Sequence, residues 1–261
     1  MYKEQEKLYK KCKDLYNINS YDYGLDIIDE IITKYDGNEL FYKDKIDSLI
    51  KYLNINIENN IEKEKAYKCK AFLLYKNNQY KESIKYFREI INVPRYREYI
   101  YLFYLYIALC EYNLYKHEEA LEYYNIAISE YEKSNNNNNN YIILHSSKAN
   151  TLQNLGRYDE AIEEYNKVIN NMDINESKYD VFNNKGYYLQ KLGKLEEALE
   201  TYNDSINDCE NYEAYCYKTI LLEKLKKDNS EIEDSFNKFL DIIIKDYNEY
   251  NNIIRNLEKE K

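Results

Sequence analysis

Apolar residues along this chain recur at offsets of three and four, in blocks that themselves repeat. The fifteen residues Leu155–Ile169, LGRYDEAIEEYNKVI, return as Leu192–Ile206, LGKLEEALETYNDSI, with Leu, Gly, Glu, Ala, Glu, Tyr, Asn and Ile in the same slots. Looser copies stand at Leu114–Ile128, Asn77–Ile91 and Ile18–Ile32. Each has a small residue (Gly24, Ser83, Ala120, Ala161, Ala198) and a bulky one four places on (Ile28, Phe87, Tyr124, Tyr165, Tyr202). Ile31, Ile90, Ala127, Val168 or Ser205 follows three places later. That spacing puts one stripe on one helix face, so every copy is predicted to be a helix.

A second amphipathic segment precedes each copy, with a small residue of its own: Cys12, Ala71, Ala108, Ala149 and Gly186. Large residues flank it four before and three after, as in Leu8 and Leu15, Tyr67 and Leu74, or Phe182 and Leu189. A small residue between large ones lets a second helix approach closely, so the unit reads as helix, tight turn, helix. A unit of this size cannot bury its apolar face alone and must stack on its neighbours.

The small residue of the first helix, the LG turn, the aromatic after it, the EA pair and the later Tyr resemble the tetratricopeptide repeat. KANTLQNLGRYDEAIEEYNKVI and KGYYLQKLGKLEEALETYNDSI match best. The Trp slot of the first helix holds Leu8, Tyr67, Tyr104, His145 and Phe182, and the Pro that commonly ends such a repeat survives only near Pro94. The resemblance implies an all-α fold: a solenoid of stacked antiparallel helical hairpins, wound as a right-handed superhelix of about seven hairpins, one degenerate. The expected repeats are 5–38, a degenerate 39–63, 64–97, 101–134, 142–175, 179–211 and 212–245, with a capping helix at 246–261. Spacing beyond the thirty-four residues of the family's repeat is expected in loops between repeats, the longest of which holds the asparagine run Asn135–Asn140. That run reads as a solvated connector.

Composition narrows the function. The chain carries a formal net charge of −10, which opposes binding to phosphate backbones. Five cysteines, Cys12, Cys69, Cys110, Cys209 and Cys216, form no CxxC pair and read as reduced and structural. No apolar run approaches the roughly 20 residues of a membrane span, and a cytoplasmic protein is expected. The two histidines, His117 and His145, sit in slots that hold aromatic rings in other copies. All five glycines are taken: Gly24 and Gly186 by small-residue slots, Gly156 and Gly193 by turns, Gly37 by a helix end. None remains for a phosphate-binding loop. Acidic pairs such as Glu118–Glu119, Asp159–Glu160 and Glu196–Glu197 favour positive helix ends rather than paired-acid chemistry. No enzyme, cofactor or metal is expected.

If first helices line a groove, as the resemblance implies, its walls are Tyr106 and Leu109, then Ser146, Ser147, Asn150, Gln153 and Asn154, then Asn183, Asn184, Tyr187, Gln190 and Lys191. Amides and tyrosines suit an extended peptide backbone. The peptide-binding candidates are therefore Tyr106, Leu109, Asn150, Asn154, Asn183, Asn184, Tyr187, Gln190 and Lys191, and the expected role is a protein-interaction scaffold. The family members that clamp acidic chaperone tails use Lys and Arg in slots that here hold Ser146, Glu213 and Tyr217, with only Asn150 and Asn184 in place, so a chaperone tail is not the expected partner. Two alternatives stand beside the scaffold. One is RNA binding on an N-terminal groove with Lys10, Lys13, Lys65, Lys68 and Lys76 beside Phe72 and Tyr75. The other is self-assembly through the C-terminal segment, where Ile232, Phe236, Phe239, Ile243, Tyr247, Tyr250, Ile254 and Leu257 recur at threes and fours as a cap or a seam.

Overall fold

The computed structural model describes residues 10–11, 49–51, 53–54, 63–134, 140–172, 178–208 and 211–259. Its helices divide between two compact units, Met1–Asn136 and Asn137–Lys261. The first contains α1 (Lys63–Lys76), α2 (Tyr80–Ile90), a 3-10 helix at Pro94–Tyr99, α3 (Ile100–Asn113) and α4 (His117–Lys133). The second contains α5 (Asn140–Asn154), α6 (Tyr158–Asn171), α7 (Tyr179–Lys191), α8 (Leu195–Asp208), α9 (Tyr212–Lys224) and α10 (Asn229–Lys259). No strand occurs among the described residues, and the fold is all-α, of the α-solenoid class.

Within each unit consecutive helices pack in pairs, α1 on α2 and α3 on α4, then α5 on α6, α7 on α8 and α9 on α10. The small-residue slots are where these pairs meet. Ala71, Ser83, Ala108, Ala120, Ala149, Ala161 and Ala198 have no exposed surface, and the Ser83 hydroxyl donates to the Ala71 carbonyl at 2.8 Å. The bulky slots fill the space between them: Phe87, Tyr124, Tyr165 and Tyr202 are buried. Each such ring removes a large apolar area from water, so the repeat pattern is the core.

Five hairpin turns among the described residues share one geometry. Asn78, Tyr115, Gly156, Gly193 and Lys226 all hold positive φ, between 52° and 76°. The residue after each donates its N–H to a carbonyl five positions back, as Arg157 does to Leu152 at 2.9 Å and Lys116 to Glu111 at 3.0 Å. This closure satisfies carbonyls the helix end leaves open.

The three extra residues expected between the second and third clear copies are accommodated at the 3-10 helix Pro94–Tyr99, whose Tyr96 packs edge-on against Phe103 at 5.7 Å between centroids. Of the degenerate hairpin, 49–51 and 53–54 are helical, with Leu49, Ile50 and Leu53 buried. Apart from Lys10 and Lys11, which are helical, the expected repeat 5–38 lies outside the described residues, as do Asn135–Asn139. Asn140 is the first residue of α5. The segment expected as second helix and separate cap is one continuous helix, α10, of 31 residues.

Candidate peptide-binding face

Nine residues were singled out from the sequence. Tyr106 and Leu109 fall in the first unit. The Tyr106 ring is half-buried among Phe72, Tyr75 and Phe87, with centroids 4.6, 5.2 and 5.6 Å away. Leu109 is half-buried one turn further along α3. These contacts make Tyr106 part of an aromatic cluster.

The other seven lie on α5 and α7 of the second unit, and they separate into inward and outward sets. Asn183 is 4% exposed: its amide donates to Asn211 and Glu213, each at 3.4 Å, and its oxygen accepts from the Ser205 hydroxyl at 2.8 Å. Asn150 accepts from the Tyr165 hydroxyl at 2.7 Å and from the Tyr188 hydroxyl at 3.3 Å. Gln190 donates to the Tyr202 hydroxyl at 2.8 Å. These three amides join helices: Asn150 and Gln190 partner the hydroxyls of packed tyrosines, and Asn183 partners the buried Ser205 hydroxyl.

Outward on α7 stand Asn184 and Lys191, both exposed, with Tyr187 half-buried between them. The Lys191 ammonium lies 5.0 Å from the centre of the Tyr187 ring, and its hydrogen bond with Tyr187 raises its pKa. Asn154 is exposed at the end of α5. Offsets of three and four give α7 the stripe Asn184–Tyr187–Lys191; thirty-seven residues earlier the equivalent slots of α5 hold Ser147, Asn150 and Asn154. Further along, the half-buried Tyr217 of α9 stacks on Tyr202 at 5.5 Å.

The N-terminal lysine groove divides in a similar way. Lys68 places its ammonium 5.5 Å from the Tyr96 ring centre, in a cleft shared with Phe72, Arg95, Tyr99, Leu102 and Phe103. Arg95 pairs with Glu64 at 3.5 Å. Phe72 and Tyr75 pack edge-on against Tyr106, so their rings belong to the same cluster. Lys65 is half-buried, Lys10 and Lys76 are exposed, and Lys13 lies outside the described residues.

One site was missed from the sequence. His145 Nδ1 is 2.5 Å from a carboxylate oxygen of Glu164, and Lys148 and Lys167 each approach its other oxygen at 2.9 Å. Glu164 is 4% exposed, and burial pushes its carboxyl upward. The hydrogen bonds from His145, Lys148 and Lys167 outweigh that and hold it at about 2. The signal was present nineteen residues apart: the same slots hold Tyr67 and Tyr86, whose centroids are 5.3 Å apart, and Tyr104 and Tyr123, at 6.3 Å. In this repeat the ring pair becomes a hydrogen-bonded histidine–carboxylate pair. Its groups are consumed by one another, as a structural network requires.

Among the described residues nothing else converges into reactive chemistry. Burial pushes the Cys110 thiol up to about 12, the opposite of what a nucleophile needs. Among the described residues, no group of three His, Cys, Asp or Glu is placed to hold a metal ion. No helix among them is long and apolar enough to cross a membrane.

Comparison with known proteins agrees with this architecture. The tetratricopeptide repeat family model matches residues 103–134, 144–171 and 179–207. No curated protein matches the chain. Among solved structures it is similar to BtubC from P. vanneervenii, with a TM-score of 0.62 and 11% identity over 80% of this chain and 92% of that one. MamA from Desulfovibrio magneticus RS-1, residues 41 to the end, gives 0.57 and 13% identity over 70% and 97%. YrrB, described as a TPR protein with an unusual peptide-binding site, gives 0.55 and 16% identity over 73% and 91%. With family matches on three successive hairpins and the slots of those hairpins buried as a core, residues 103–134, 144–171 and 179–207 are tetratricopeptide repeats.

Proposed function

We propose that the chain is a non-catalytic protein-interaction scaffold whose first-helix face on α5 and α7 holds an extended segment of a partner protein. The observation that carries this is the outward stripe Asn184–Tyr187–Lys191. It lies between the repeat slots and offers an amide, an amphipathic ring and a cation at one-turn spacing on a helix anchored from behind by Asn183 and Gln190. Asn184 or Lys191 meets a backbone carbonyl or carboxylate of the peptide, and the Tyr187 ring meets an apolar side chain. The peptide-binding site named for YrrB supports peptide recognition on this fold. Nucleic acid is the weaker reading, because the net charge is −10 and the rings nearest the lysine groove are packed into the core.

The test is selection of extended peptides from a display library on the full chain, followed by titration of the best binder. Tyr187→Ala and Lys191→Ala should each weaken it about tenfold, a loss of about 1.4 kcal/mol. Glu200→Ala, on the exposed side of α8, should leave it unchanged. Equal binding by all three variants would sink the reading. Retention of RNA with steep salt dependence would replace it with the nucleic-acid one.

A further inference from the structure

Helix α10 has two apolar seams, and only one of them is covered by its own unit. On the inner seam Ser235 is 2% exposed, accepting from the Thr219 hydroxyl at 2.9 Å and donating to the Tyr215 carbonyl at 3.3 Å. Ile232, Phe239 and Ile242 beside it are half-buried. The outer face carries Phe236 at 47% exposed, Leu240 at 36%, Ile243 at 40%, Ile244 at 54% and Tyr247 at 65%. The helix is also longer than its support: α10 has 31 residues against 13 in α9, roughly 46 Å against 20 Å.

Continued along the sequence of the helix, the outer register follows a strict alternation of four and three: 236, 240, 243, 247, 250, 254, 257. That is the a/d repeat of a two-helix coiled coil. From 240 onward the residues read Leu240, Ile243, Tyr247, Tyr250, Ile254, Leu257, the same forwards and backwards. A palindromic seam is complementary to itself in the antiparallel sense. Turning a second copy about a two-fold axis sets Leu240 against Leu257 of the other copy, Ile243 against Ile254 and Tyr247 against Tyr250, each pair one a position with one d position. A two-fold contact of this kind uses the same patch on both copies. The flanking positions agree with it: Ile244 comes opposite Asn251, Asp246 opposite Ile253, Asn237 opposite Glu258, and no two like charges meet. The remaining positions mix Asp241 and Glu249 with Lys245 and Arg255. A helix lying on a lipid surface would instead be rich in Lys and Arg there.

We propose that this outer seam is the docking site for a second copy of the chain, forming an antiparallel helix pair over residues 238–259 of each. The occupant is set by the self-matching order of residues. The hairpin partner α9 covers the beginning of α10, so the antiparallel arrangement keeps each copy's α9 at the opposite end of the pair from the other's.

Sedimentation equilibrium of the full chain over a concentration series tests this. The parent chain should dimerise, and Ile243→Glu or Ile254→Lys alone should raise the dissociation constant on the order of 100-fold, because each buries an unpaired charge. Mixing the two variants should restore a dimer, since the carboxylate introduced at position 243 of one copy then faces the ammonium introduced at position 254 of the other, while the second Ile243–Ile254 contact stays intact. Helical circular dichroism and thermal midpoints matching the parent show that the variants are folded. A monomeric parent overturns the proposal, as does a dimer indifferent to Ile243→Glu. Failure of the mixed variants to pair overturns the antiparallel register that carries it.

Discussion

The ring of Tyr202 lies directly over Gly186, so close that a Cβ on Gly186 would stand 2.6 Å from Cε1 of the tyrosine. Gly186 is helical and buried, so the glycine is needed for space rather than backbone freedom. Tyr202 cannot retreat freely: its hydroxyl accepts from Gln190 and its face stacks on Tyr217. Gly186→Ala should therefore destabilise the second unit by about 1–3 kcal/mol despite the better helix propensity of Ala. Urea unfolding followed by circular dichroism reads this, and Gly186→Ala with Tyr202→Leu should recover part of the loss.

The buried Glu164 makes stability depend on pH in an acid window. Its folded-state carboxyl sits at about 2, below an ordinary value of 4.5, so its stabilisation is fully present above pH 4.5 and is lost as pH falls toward 2. The span corresponds to on the order of 3 kcal/mol. Glu164→Gln should flatten the stability profile between pH 4.5 and about 2 in denaturant titrations. Replacing His145 and Glu164 together by tyrosines, as in the Tyr104–Tyr123 pair, should cost less than Glu164→Gln alone.

The turns make a prediction of opposite sign. Tyr115 and Lys226 hold φ of 61° and 52°, where a Cβ is strained, and Tyr115 is 86% exposed and contributes little packing. Tyr115→Gly and Lys226→Gly should each stabilise the protein by about 1 kcal/mol, whereas Gly156→Ala, at φ 73°, should destabilise it by a similar amount. Thermal midpoints of the three variants check the signs.

Neighbouring asparagines on α7 should behave differently. Asn183→Ala removes one of the partners of Ser205 inside the stack, together with the bonds from its amide to Asn211 and Glu213, and should cost about 1–3 kcal/mol. Asn184→Ala, on the exposed side, should change stability by less than about 0.5 kcal/mol while weakening peptide binding. Denaturation and peptide titration on the two variants separate scaffold from surface.

The core was readable because its slots are defined by residue size at fixed spacing: Ala71, Ser83, Phe87, Ala149, Tyr165 and Ala198 are all buried where the pattern puts them. The surface was less readable. Asn150 and Asn183 look like groove residues by position, yet an amide serves a buried tyrosine or serine hydroxyl as well as it serves a peptide, and sequence does not separate these uses. His145 looked like a replacement ring because Glu164, the residue that changes its meaning, lies on the next helix. In α10 the recurrence at threes and fours was visible, but the assignment of Ser235 to the inner face and Phe236 to the outer one needed the packing of α9.

The shared turn geometry also bears on what the gene can encode. Five described hairpins reverse through one left-handed residue, yet only Gly156 and Gly193 among those residues are glycines; Asn78, Tyr115 and Lys226 complete the set. The hydrogen bonds that close each turn, such as Lys116 to Glu111 and Lys227 to Leu222, tolerate that exchange at a cost of about 1 kcal/mol apiece. Glycine codons begin with two guanines, whereas those of asparagine, tyrosine and lysine begin with adenine and thymine pairs. A hairpin array closed in this way stays foldable under a nucleotide bias that strips out glycine, and it does so by spreading small strains over many independent turns.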